Sequence, residues 1–293
     1  MQNYELKTKK IRDAFSEDKK QRDFSRRLEF SWTEWPFGGE PLEASCERLK
    51  RHGVNYIELS GLGHNASEVN NILRQTDMKV SGVCGMFSPE YELASPNPTV
   101  RQKAVDYIRR ELTLCQAVGA TYLLLVPGCV GRTVPFDDME MQRSAETLRS
   151  VADDFVNCGI QCAMEVIQHK EVSLVKTVSE ALAYIKEVNH PGIQGITGDM
   201  FHMQVEEFHM GEAIMQAGDA LINFHVADST RRTLGSGSLD LDTVIRALYL
   251  IGYNTEKRFV TAELMAKPGQ SLDDCVKETV AYFRLRENAV IAE

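Results

Sequence analysis

Four short apolar runs in the second half of the chain each end on a side chain able to bind a metal or move a proton. Run 161–164 meets Glu165, run 193–197 leads through Gly198 to Asp199, run 221–224 meets His225, and run 258–262 meets Glu263. Three carboxylates and one imidazole make a hard, oxygen-rich donor set of negative charge. Such a set favours one Mn²⁺, with Mg²⁺ or Co²⁺ as alternatives, over a structural zinc built on thiolates. Four protein ligands leave room in an octahedral shell for a carbonyl oxygen and the neighbouring hydroxyl of a sugar. Chelating that pair acidifies the C–H between them, and a carboxylate beside the metal can take the proton. Glu165 and Glu263 are the candidates for removing it from one face and returning it to the other.

No one of these residues carries the reading alone, because a single histidine such as His225 is more often a hydrogen-bonded structural residue. The signal is that four consecutive strands finish on a ligand type. In a closed parallel barrel the carboxyl ends of all strands share one face, so the four can converge.

The rest of the chain supplies such a barrel. Strand-like runs at 28–32, 56–59, 80–84 and 121–126 precede the four already named. Helical periodicity fills the intervals at 42–52, 65–76, 99–118, 137–157, 174–188, 205–216, 241–251 and 272–288, with Gly53, Gly119 and Gly159 as stops. Eight strand–helix units predict an α/β fold, a single (β/α)8 barrel spanning 28–293. Residues 1–27 hold nine Lys or Arg against five Asp or Glu and few apolar side chains, which predicts a solvated charged arm. A helix packed on the barrel, an oligomer contact or partial disorder are the other readings of that segment. Glu58, closing the second strand, reads equally as a pocket residue or a structural acid, and stays outside the candidate site.

Composition sets further bounds. The chain has 293 residues, 43% hydrophobic and 26% charged, with a net charge of -9. That balance argues against a nucleic-acid partner. No apolar run reaches membrane-spanning length, and the N-terminus lacks the apolar stretch of a secretory signal. The seven cysteines include no C-x-x-C pair and read as reduced thiols, so a cytoplasmic location is expected.

The spacing Asp199-x-x-His202, His225 with Arg231 six residues on, and the segment 235–240 (GSGSLD) together resemble the sugar isomerase/epimerase superfamily with a xylose-isomerase-like barrel. Within it the ketose 3-epimerases, of the D-tagatose 3-epimerase type, are most similar. That resemblance implies metal ligands at Glu165, Asp199, His225 and Glu263, with the two glutamates as the acid/base pair. It also implies substrate contacts from Glu171, His202 and Arg231, a sugar substrate and a homo-oligomer. The chain departs from the epimerase pattern at Gln168 and His169, and at Leu264 after Glu263.

Segments 225–229 and 239–254 resemble instead the α subunits of bacterial C-glycoside deglycosidases. These cleave a C–C bond of 3-oxo-C-glycosides with a small β subunit, and under that reading His169 serves as a general base. An inosose-dehydratase type of reaction is a third outcome of the same enolisation. A three-metal barrel nuclease would need more histidines, whereas His52, His64, His190 and His209 fall in expected helices or loops away from the site. A non-catalytic barrel subunit would not be expected to keep all four ligand positions.

Overall fold

In the computed structural model, which describes residues 2–293, eight parallel strands close into a barrel in sequence order. They are β1 (Glu29–Thr33), β2 (Tyr56–Ser60), β3 (Lys79–Cys84), β4 (Tyr122–Leu125), β5 (Gln161–Glu165), β6 (Gly195–Asp199), β7 (Leu221–Val226) and β8 (Phe259–Ala262). Around them lie α1 (Gln2–Asp18), α2 (Leu42–Arg51), α3 (Ala66–Thr76), α4 (Pro98–Val118), α5 (Glu140–Arg149) and α6 (Ala152–Cys158). The circuit continues with α7 (Val178–Val188), α8 (Met200–Glu206), α9 (Met210–Ala217), α10 (Leu241–Leu250) and α11 (Leu272–Ala292). β8 pairs with β1 through Glu29↔Phe259 to Trp32↔Ala262, so no edge strand is left open.

Every residue of β6 and β7 is buried, as expected for a sheet covered by helices on one side and filled by its own side chains on the other. The covering helices start at side-chain caps. Asn65, Asn97, Thr177, Asp240 and Ser271 accept hydrogen bonds from the first free amides of α3, α4, α7, α10 and α11. α4 buries Ala104, Ile108, Leu112 and Cys115 at helical spacing. Each large apolar side chain so buried contributes about 1.5–3 kcal/mol. The helix ends at Gly119, whose φ of +73° lets the chain reverse into β4.

Three expectations shift in detail. The helix expected over 137–157 is two helices, α5 and α6, separated at Ser150 and Val151. The segment 174–188 becomes helical only at Val178, where Thr177 supplies the cap. The helix expected over 205–216 is the end of α8 and, after a break at 207–209, α9; α8 starts directly after its cap, Asp199. Asp199 Oδ1 accepts from the Phe201 amide at 2.6 Å, so this site carboxylate also starts a helix.

The N-terminal segment is not free in solvent. Met1 lies outside the described residues, but α1 packs along α9 and α10. Ile11 and Phe15 are buried, Phe15 against Phe24 and Tyr249. Arg22 donates to the carbonyls of Tyr249 (2.6 Å) and Leu250 (3.3 Å), closing the carboxyl end of α10. Four apolar residues spaced 11, 15, and 24 with Leu6 were too sparse in a basic segment to announce this docking. Two of them suffice once α10 offers an aromatic partner.

Candidate active site

The strand register brings the four expected ligands to one end of the barrel. Asp199 pairs with His225 across β6 and β7, and His225 with Thr261 across β7 and β8, which sets Glu263 just beyond. Glu165 closes β5, whose register pairs it with Thr197. One donor atom from each of Glu165, Asp199, His225 and Glu263 lies within 4.8 Å of all the others, and all four residues are buried. His225 Nδ1 stands 3.1 Å from Glu263 Oε2, 3.3 Å from Glu165 Oε1 and 4.0 Å from Asp199 Oδ2.

The groups fit a divalent cation. Glu165 Oε1 and Asp199 Oδ2 are buried without a hydrogen-bond partner, and both face the same point as His225 Nδ1. Uncompensated buried carboxylate oxygens are costly unless a cation or a proton satisfies them. Burial and the charge of Glu263 hold the Glu165 carboxyl above its ordinary range. Burial also lifts Asp199 well above its usual value, despite the opposing charge of Arg231. Glu263 goes the other way. Burial would raise it, but Arg231 and His225 overcome that and hold it well below the usual glutamate value.

The back of His225 is equally defined. Its Nε2 faces Glu58 Oε1 at 3.1 Å, and Glu58 is wholly buried. Burial would push the imidazole down, but Glu58 and Glu263 carry it well above an ordinary histidine.

Arg231 reaches over the cluster. Its Nη2 donates to Glu263 Oε2 and lies 3.7 Å from Asp199 Oδ2. The guanidinium is held between Trp35 and Phe201, 5.3 and 5.1 Å from the ring centroids. Arg231 has a φ of +55°, a conformation that costs a non-glycine residue about 1–3 kcal/mol and is typical of functional positions. Trp35 Nε1 donates to Glu263 Oε1 at 2.7 Å. His202 lies 3.6 Å from Asp199 Oδ2, 3.9 Å from Glu171 Oε1 and 3.5 Å from Arg231 Nη1. Burial first, and then the Arg231 charge, lower the His202 pKa to about 3, so the ring is neutral.

These groups open into a cavity of about 360 Å³. Its lining includes Glu165, Glu171, His202, Arg231 and Glu263 together with the apolar Met86, Phe87, Val126, Val130 and Ile167. A larger hollow, of about 740 Å³, lies at the opposite, amino-terminal end near Tyr56, Lys79 and Phe259, and holds none of these groups.

Of the residues singled out from sequence, Glu165, Asp199, His225, Glu263, His202, Arg231 and Glu171 come together. His169 does not. It is more than half exposed, its Nδ1 and backbone amide both face Glu206, and it stands outside the cavity wall. Trp35 and the tie of Glu58 to His225 join the site without being among those residues. The one charged side chain in the run 56–60 was the available signal for Glu58; nothing in a loop tryptophan marks Trp35.

The family model described as xylose isomerase-like TIM barrel matches residues 46–284. The chain belongs to that family. Among its relatives, the D-psicose 3-epimerase of Agrobacterium fabrum is 31% identical over 245 residues, 79% of this chain and 82% of that protein. The 3-dehydro-D-guloside 4-epimerase of Escherichia coli is 26% identical over 216 residues, 70% of this chain and 81% of that one. A solved L-ribulose 3-epimerase superposes with a TM-score of 0.81 at 19% identity, covering 90% of this chain and 96% of the other. The family members with named activities here are sugar epimerases, and this chain is placed among the ketose 3-epimerases.

Proposed function

We propose that the chain is a metal-dependent sugar epimerase that enolises a ketose or a 3-oxo sugar by carboxylate-mediated proton transfer. The buried quartet with two unpartnered carboxylate oxygens is the observation that carries this reading. Glu165, Asp199, His225 and Glu263 would hold one divalent ion, for which the oxygen-rich donor set favours Mn²⁺. Such an ion supplies Lewis-acid polarisation of a carbonyl, which acidifies the neighbouring C–H.

The chain's own residues do the rest. Glu263, its Oε1 fixed by Trp35, and Glu165, from β5, serve as the two proton carriers, one taking the proton and the other delivering one to the opposite face. Arg231 keeps its guanidinium between two aromatic rings, where it can hold a substrate oxygen without swinging away. His202, neutral, and Glu171 orient hydroxyl groups. The buried setting excludes water from the enolised sugar.

The apolar cavity wall favours a second reading, in which the substrate carries an apolar aglycone and the same proton removal leads to C–C cleavage of a 3-oxo-C-glycoside. His169, which stands outside the cavity wall with its ring on Glu206, would then act only together with a partner subunit. A homo-oligomer belongs to the first reading, a small β subunit to the second, and a cytoplasmic setting to both.

The test is incubation of the Mn²⁺-loaded protein with a panel of free ketoses and with a 3-oxo-C-glucoside, followed by chromatography. A new epimer that disappears on chelation supports the epimerase. Aglycone release supports the lyase. No conversion in either set, with one ion bound, refutes the substrate class.

A further inference from the structure

We infer that Glu58, outside the ligand quartet, is a positioning residue that fixes which nitrogen of His225 faces the cluster, and that Tyr122 and Asn223 hold it there. This rests on the reading that the quartet binds a divalent ion.

The interior of such a barrel is ordinarily packed with branched apolar side chains. Here it contains a wholly buried carboxylate. A buried carboxylate is tolerated only when its lone pairs are filled, and those of Glu58 are filled from two other strands. On β4, Tyr122 donates its hydroxyl to Glu58 Oε2 at 2.6 Å. On β7, Asn223 donates to the same oxygen at 3.3 Å, and His225 Nε2 lies 3.1 Å from Oε1.

Each donor is itself constrained. Thr261 Oγ1 donates to Asn223 Oδ1 at 2.8 Å, which turns the amide NH₂ of Asn223 toward Glu58. The Tyr122 ring lies on Gly82, where an added Cβ would meet ring carbons at 2.2 Å. Only glycine at 82 leaves the ring in that place. Asn223 and His225 are two residues apart on one strand and therefore point to the same side.

The consequence for His225 follows from counting protons. A neutral imidazole has one N–H. On Nε2 that hydrogen is donated to Glu58, and the Nδ1 lone pair faces Glu165, Asp199 and Glu263. On Nδ1 it would leave two sets of lone pairs, of Nε2 and Glu58, opposed at 3.1 Å. Glu58 thus selects the tautomer that presents a lone pair to the ion. Its negative charge also increases the donor strength of the ring, as carboxylates behind ligating histidines do.

The test uses the full-length protein stripped by chelation, its Glu58→Ala and Glu58→Gln variants, and calorimetric titration with Mn²⁺. Removal of such a supporting partner weakens metal binding on the order of 10–100-fold. Glu58→Ala should fall in that range. Glu58→Gln, which keeps an acceptor oxygen for Nε2–H without the charge, should fall between it and wild type, and it serves if the alanine variant does not fold. The second readout is the ¹⁵N spectrum of histidine-labelled protein loaded with diamagnetic Zn²⁺. The proton on His225 Nε2 should be shifted downfield and slow to exchange in wild type, through its charge-assisted bond to Glu58, and should lose that signature in the variants. Wild-type protein that binds no ion refutes the proposed function, and this inference with it. Wild-type protein that binds one ion, with folded variants matching its affinity and its Nε2–H signal, overturns the role of Glu58 alone.

Discussion

Replacing Glu263 by glutamine tests the site from three sides at once. In the structure Oε1 accepts from Trp35 Nε1 at 2.7 Å, while Oε2 faces Arg231 and, at 3.1 Å, His225 Nδ1. A glutamine amide must turn its NH₂ toward either the indole N–H or the guanidinium, so one buried donor loses its acceptor. That costs about 1–3 kcal/mol of stability. For a chain of this size the melting temperature should fall by roughly 2–12 °C. The fold survives, because the residue lies beyond the end of β8 and its backbone bond to the Val226 carbonyl does not involve the side chain. Activity should fall much further. Loss of a positioned proton carrier removes about 10²–10⁴ from the rate. The lower bound corresponds to about 2.7 kcal/mol of transition-state stabilisation. The assay is kcat on whichever sugar wild type converts, with circular dichroism and a melting curve on the same sample. A folded variant turning over within about tenfold of wild type would refute Glu263 as a proton carrier.

Three further outcomes are expected. Stripping the ion should lower the melting temperature by roughly 5–11 °C if wild type is compared at about 100 times the dissociation constant, a stabilisation of about 2.7 kcal/mol; an unchanged melt after complete chelation contradicts a metal at the quartet. Phe15→Ala should cost about 3–5 kcal/mol at a wholly buried aromatic and open the segment before β1 to protease, whereas unchanged cutting would mean that α1 is not held by that contact. The Glu34–His64 pair, 2.8 Å apart, raises the His64 pKa through that hydrogen bond against an opposing burial effect. Its stabilisation is therefore complete below the unfolded histidine pKa of about 6.5 and fades as pH rises through the higher folded value. The melting difference between wild type and Glu34→Gln should shrink on that rise, and a difference constant with pH would contradict the pairing.

The barrel was legible because its signal is periodic. Apolar runs at 121–126 and 221–224 are long enough to be buried on both faces, and glycines such as Gly119 end helices where the pattern stops. The quartet was legible because a parallel barrel converts position along a strand into position in space. What escaped depends on contacts between distant segments. Trp35 matters only because its turn after β1 places the indole beside Glu263 from the far end of the chain. α8 begins at Asp199 through a side-chain cap that the pattern of apolar residues does not display. The basic first segment looked solvated because only Ile11 and Phe15 bury within its helix, and Tyr249, against which Phe15 packs, is more than 230 residues away in sequence. His169 looked like a site residue from its nearness in sequence to Glu165, but the loop turns its ring to Glu206.

If the quartet holds an ion and its glutamates move a proton on the carbon beside a carbonyl, solvent hydrogen must enter at that carbon. The most direct measurement is proton NMR of the convertible sugar with Mn²⁺-reconstituted protein in D₂O, the ion removed before the spectrum is taken. Deuterium is expected at that one carbon, in product and in recovered substrate, and none with chelated protein or with Glu263→Gln. Conversion that keeps the original hydrogen at that carbon, or that proceeds unchanged after chelation, would contradict it.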